Sequence, residues 1–139
     1  MASEHHDFII EIIKLKMKQK GCTIVASEGK YKNRELIKIK IPPQILRHRP
    51  DVIGYNRSKN AVFIGEAKYF GDLASKRSKQ QIEDFGNLAV KKENIYFVLG
   101  FPLSEEDKVR VILKKKDLDQ CKKIILLKVP DRWLVSNNE

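Results

Sequence analysis

Two short apolar runs, Val52-Ile53 and Ala61-Val62-Phe63-Ile64, flank the polar stretch Asn56-Arg57-Ser58-Lys59-Asn60. No other feature constrains the chain as much. The polar stretch has turn chemistry, so the pair is expected to fold as a β-hairpin. Charged residues stand at its open end: Pro50-Asp51 precedes the first run and Glu66-Ala67-Lys68 follows the second. Side chains alternate along a strand, so Glu66 and Lys68 share one face and Ala67 takes the other. A hairpin brings the Asp51 carboxylate beside them. Two carboxylates and an ammonium then meet at the end of an apolar strand pair. Isolated charge is costly to bury, so such a cluster calls for a compensating partner, a metal ion or a phosphate. The bland alternative is an ordinary hairpin with a surface Glu–Lys pair at i, i+2, an interaction worth little.

The rest of the chain alternates helix and strand. Asp7 to Lys20 carries an apolar stripe at Phe8, Ile9, Ile12, Ile13 and Leu15, with Gly21 as a stop, and reads as a helix. Strands are expected over Thr23–Ala26 and Leu36–Ile41, the second with Lys38 and Lys40 on its outer face and Pro42-Pro43 at its end. Tyr69 to Ala74 reads as a loop. A helix follows from Ser75 or Ser78 to Lys92, with Ile82, Phe85, Leu88 and Ala89 inward. Asn94 to Phe101 is a continuous apolar run of the kind found in buried parallel strands. Ser104 is expected to cap a further helix whose acids come first and whose Lys114, Lys115 and Lys116 come last. Lys123 to Val129 is a last strand. The alternation by itself gives a mixed α/β class. No repeat or low-complexity linker divides residues 1–139, which are expected to form one domain.

Charge narrows the partners. The chain has 28 Lys+Arg against 18 Asp+Glu, a net charge of +10 and a pI near 9.6, a level that suits nucleic acid. The excess is uneven. Lys30, Lys32, Arg34, Lys38, Lys40, Arg47 and Arg49 face one acid, Glu35, and a second cluster is Lys76, Arg77 and Lys79. No apolar run reaches membrane-spanning length, and the N-terminal residues lack the pattern of a secretory signal. Cys22 and Cys121 form neither a disulfide framework nor a zinc pattern. A reducing, cytoplasmic setting is therefore expected.

The Pro50-Asp51…Glu66-Ala67-Lys68 constellation, with Ile64-Gly65 before it and a following helix that contains Gln80 and Gln81, resembles the PD-(D/E)xK nuclease superfamily. The resemblance covers roughly residues 7 to 100. It implies an α/β fold with a restriction-endonuclease-like αβββαβ core, to which this chain adds a C-terminal helix and strand. It also implies a metal-dependent DNA endonuclease acting on structured or double-stranded DNA. Mg²⁺, replaceable by Mn²⁺, would be held by Asp51 and Glu66, with the Ala67 carbonyl as a further ligand. Lys68 would orient the attacking water or stabilise the transition state. A glutamine on the next helix would line the site. Gln81 fills that role, with Gln80 an equal substitute, although Ser78-x-x-Gln81 equally spells a helix capping box. Glu11 is the candidate first-helix acid near the metal, against its reading as a surface helix residue; Glu28 is a weaker candidate of the same sort.

His5 and His6 read as solvent-exposed groups near a terminus, since no matching Cys or His spacing follows. His48 is close enough in sequence to contact a phosphate. Lys76, Arg77 and Lys79 fall where a helix begins, a position that disfavours cations by roughly 0.3–1 kcal/mol each. A DNA backbone would make the placement favourable, and Arg47 and Arg49 would add to it. The alternative is an exposed loop. A homodimer would let two sites cut two strands, with residues 124–127 and Trp133 as its surface. Two other classes stand beside the nuclease: a catalytically weak binding module of the same fold, and a basic assembly subunit, which explains the charge but not the motif.

Overall fold

The computed structural model describes residues 4–28 and 45–134. The expected strand over 36–41 and the basic residues Lys30, Lys32, Arg34, Lys38 and Lys40 lie outside them. The described elements are α1 (Glu4–Gln19), β1 (Thr23–Ser27), β2 (Val52–Asn56), β3 (Ala61–Ala67), α2 (Lys76–Lys91), β4 (Ile95–Pro102), α3 (Glu106–Lys115) and β5 (Ile124–Val129). One five-stranded sheet runs in the order β1-β2-β3-β4-β5. The first three strands are antiparallel neighbours, and β4 and β5 join in parallel. This is the mixed α/β order expected from the hairpin and the alternation.

The sheet separates two apolar layers. Ala61, Phe63 and Ala67 of β3 face Ile9, Ile10, Ile13 and Met17 of α1. Ile64 of β3 packs with Ile82, Phe85 and Ala89 of α2 and with Val109, Ile112 and Leu113 of α3. β4 lies between the layers, with Phe97, Val98, Leu99 and Phe101 fully buried, as its unbroken apolar run requires.

The inward face of α1 differs from the expected stripe. Ile9, Ile10, Ile13, Lys14 and Met17 are buried, while Phe8 and Leu15 are exposed. The i, i+4 rows of a helix put 9, 10, 13, 14 and 17 on one face, and Leu15 falls off it. The Lys14 ammonium is held by Glu11 Oε2 at 3.0 Å. Gly21 ends α1 in the left-handed region (φ 90°), and Cys22 N–H donates back to the Met17 carbonyl at 2.9 Å.

Of the two expected starts of α2, Ser75 is the cap, accepting from Ser78 N–H at 3.0 Å, so Ser78-x-x-Gln81 forms no capping box. Ser104 caps nothing; its N–H donates to Asp131 Oδ1, and α3 starts at Glu106 after a short 3₁₀ turn.

Gly65 sets how closely α1 approaches β3. A Cβ there would lie 2.7 Å from Ile13 Cγ2 and 2.8 Å from Met17 Cε. Gly65→Ala is therefore expected to lower stability by about 1–3 kcal/mol by overpacking this layer. Urea denaturation would read the change; a variant as stable as the parent would show that α1 can move away at no cost.

Candidate active site

The hairpin brings the charged residues together as its sequence requires. Val52 pairs with Gly65, and Asp51 N–H donates to the Gly65 carbonyl at 3.0 Å, so Asp51 faces Glu66 one residue further along. Cross-strand partners share a face. The backbone ladder between the two strands stops there, and the Asp51 side chain takes over: its Oδ2 accepts from Ala67 N–H at 2.8 Å. On the α2 side of the sheet, Glu66 Oε2 lies 3.3 Å from Lys68 Nζ. Lys68 Nζ also donates to Gln81 Oε1. Glu66, Lys68 and Gln81 are 4%, 6% and 5% exposed, which excludes a solvated Glu–Lys pair.

Burial governs the electrostatics. Loss of water pushes the Asp51 carboxyl above its usual range, opposed mainly by the charge of His6 and the Ala67 N–H bond. Glu66 is pushed well above its usual range, first by burial and then by the negative charge of Asp51, and Lys68 offsets only part of this. Glu66 Oε1 is buried and meets no hydrogen-bond donor. Two desolvated carboxylates on facing positions of the hairpin, one of them with an orphaned oxygen, fit a hard cation. A strand residue's N–H and C=O point to the same side, so the Ala67 carbonyl lies on the strand edge where Asp51 binds. Among the described residues no group of three or more His, Cys, Asp or Glu side chains is arranged to enclose a metal. A cation here would keep several waters, as Mg²⁺ does.

The first helix contributes a residue that the sequence reading placed in solvent. His6 Nε2 lies 2.9 Å from the Ala67 carbonyl oxygen and 3.5 Å from Asp51 Oδ2. His5 is partly buried against Tyr69, with ring centroids 5.3 Å apart. No spacing marks either histidine; only the packing of α1 across β3 carries them to the end of the strand. Glu11, the expected first-helix acid, has its Oε2 3.0 Å from Lys14 Nζ. Glu28 sits at the border, its N–H donating to the Asp51 carbonyl at 2.7 Å and its charge adding to the upward push on Asp51.

Gln80 is half-buried, and Gln81 is the glutamine that reaches Lys68. Lys76, Arg77 and Lys79 are exposed in the first turn of α2, which holds no acid. Arg47 is exposed, with Nε 3.3 Å from Asp84 Oδ2, and Arg49 is exposed. His48 is buried, with Nε2 2.7 Å from Asp84 Oδ2 and its ring edge-on to Phe85, so it packs the 45–48 turn onto α2. Cys22 and Cys121 are both free thiols. No described helix is long and apolar enough to cross a membrane.

No protein-family model matches the chain, and no curated protein does. Among solved structures it is similar to a repair endonuclease from Pyrococcus abyssi, at 15% sequence identity and a TM-score of 0.47. The alignment takes in 94% of this chain and 48% of the other, so the chain spans about half the length of that protein.

Proposed function

We propose that this protein is a divalent-metal-dependent endonuclease that hydrolyses phosphodiester bonds in structured or double-stranded DNA. The observation that carries the reading is the buried cluster at the end of the hairpin: Asp51 against Glu66, with the Glu66 Oε1 orphan and a Lys68 ammonium fixed by Glu66 and Gln81. Asp51, Glu66 and the Ala67 carbonyl would hold Mg²⁺, or Mn²⁺ in its place, and His6 stands beside them. When bound, the metal supplies charge neutralisation at the phosphoryl oxygen and a more acidic water.

The chain's own groups do the rest. The Lys68 ammonium orients the attacking water and faces the negative charge that develops on the phosphoryl oxygens. Gln81 Oε1 accepts a hydrogen bond from the Lys68 ammonium and so helps to fix its position. Burial keeps Glu66 from being screened by bulk water. The excess of Lys and Arg attracts the DNA backbone, and Lys76, Arg77 and Lys79 stand exposed in the first turn of α2, the helix that supplies Gln81.

Calorimetric titration with Mg²⁺ or Mn²⁺ tests the reading. The parent protein and Lys68→Ala should bind one ion near the hairpin, and Asp51→Asn should lose it. A binding module of the same fold would take up no metal in any of the three. Simultaneous alanines at Lys76, Arg77 and Lys79 should weaken DNA binding. They should also flatten the log–log salt dependence by about 2–3, since each neutralised phosphate releases close to one counterion. Unchanged affinity and slope would remove these side chains from the DNA contact.

A further inference from the structure

Five aromatic rings gather at one corner of the molecule, next to the carboxylates. His5 stacks on Tyr69 with centroids 5.3 Å apart and planes 17° apart, and its Nδ1 lies 3.0 Å from the Tyr69 hydroxyl. Tyr69 packs edge-on to Phe70 at 4.8 Å. Its hydroxyl donates to the Leu134 carbonyl at 3.2 Å, which ties residue 134, and Trp133 before it, to the same corner. Trp133 meets Phe8 edge-on at 6.5 Å, and Phe8 lies one helical turn from His5 on α1. Trp133 is 52% exposed and Phe8 37%.

This corner is joined to the catalytic cluster through the residues next to two of its rings. His6, next to His5, reaches the Ala67 carbonyl, and Tyr69 follows Lys68 in the chain. Exposed Arg132 adjoins Trp133.

We infer that this aromatic corner is a stacking surface for unpaired bases, so that the substrate carries a single-stranded segment beside the cut. The exposed rings of Trp133 and Phe8, with the Arg132 cation adjoining, suit a single strand, because every base offers a π-face and every nucleotide a phosphate. A blunt duplex keeps its bases stacked inside and offers this surface nothing. The basic net charge makes a nucleic acid the favoured occupant over a second copy of a chain with the same +10 charge. The inference rests on the nuclease reading of the adjoining cluster and narrows its substrate class.

Trp133 is the sole tryptophan, so its fluorescence reports on the surface without a label. The 139-residue protein would be titrated in EDTA with an oligothymidylate of about 20 nucleotides and, separately, with a blunt duplex of equal length. The single strand should quench Trp133 and the duplex should not. Trp133→Ala should lose about tenfold of the preference for single strand over duplex, and Trp133→Phe should keep most of it. Without metal, the readout is independent of cleavage. A protein that cuts DNA yet shows no quenching and an unchanged preference in Trp133→Ala overturns the stacking surface and leaves the nuclease standing. Quenching by single strand in a protein that cuts no DNA would do the reverse. A DNA-free dimer that Trp133→Ala converts to monomer, with no quenching by oligothymidylate, would assign the corner to self-association and overturn the inference.

Discussion

Asp51→Asn is expected to abolish most cleavage while leaving DNA binding intact or slightly tighter. The substitution preserves shape and removes the charge that faces Glu66 and would hold the metal. Loss of such preorganised electrostatics costs roughly 3 kcal/mol or more, so the rate should fall at least about a hundredfold. DNA affinity should not fall, because one negative charge near the phosphates has gone. Lys68→Ala is expected to lose cleavage to a similar extent and still bind Mg²⁺, since its ammonium contacts Glu66 and Gln81 and is not itself a metal ligand. Single-turnover cleavage paired with a DNA-binding isotherm separates the possibilities. Unchanged cleavage in both variants would make the cluster structural; lost folding in both would make it an ion cluster that holds the sheet together.

Glu66→Gln should produce the largest effect on stability, and in the opposite direction from most buried substitutions. Glu66 is held well above its ordinary value of 4.5 by burial and by Asp51, with Lys68 too weak to reverse the balance. A carboxyl raised in the folded state binds its proton more tightly there than in the unfolded chain. Its stabilising contribution is then complete below pH 4.5 and disappears as pH rises through the folded value. Metal-free protein should therefore lose thermal stability on going from mildly acidic to neutral pH. Asp51, also raised, adds in the same sense. Glu66→Gln should melt higher than the parent at neutral pH in EDTA and show a flatter pH profile. Mg²⁺ should raise the melting temperature of the parent and not of the variant. A variant that melts lower in EDTA would show that the Glu66–Lys68 pair, at 3.3 Å, outweighs the cost of burying the carboxylate.

The hairpin was legible because its signals are local: turn residues at 56–60, apolar runs on both sides, and alternation that puts Glu66 and Lys68 together. The buried β4 was legible for a similar reason, since an unbroken apolar run has few other homes. Where several positions compete for one role, the sequence alone left the choice open or missed it. Ser75 and Ser78 both have cap chemistry, and Ser75 caps α2; Ser104 has it too, yet its N–H bonds to Asp131 and α3 begins at Glu106 after a 3₁₀ turn. The α1 stripe was shifted because buried Lys14 sits in the apolar face, its ammonium held by Glu11. His6 was invisible because its importance lies in a contact across 61 residues of chain, to the Ala67 carbonyl.

Incubation of the pure protein with supercoiled, linear, flapped and four-way DNA, each with and without Mg²⁺ or Mn²⁺, tests the nuclease assignment most directly. Asp51→Asn, purified in parallel, controls for contaminating nuclease. Metal-dependent cutting of at least one DNA form by the parent, absent in EDTA and in Asp51→Asn, is the expected result. Parent protein that binds DNA but cuts none of these forms with either metal, or cutting that Asp51→Asn retains in full, would contradict it.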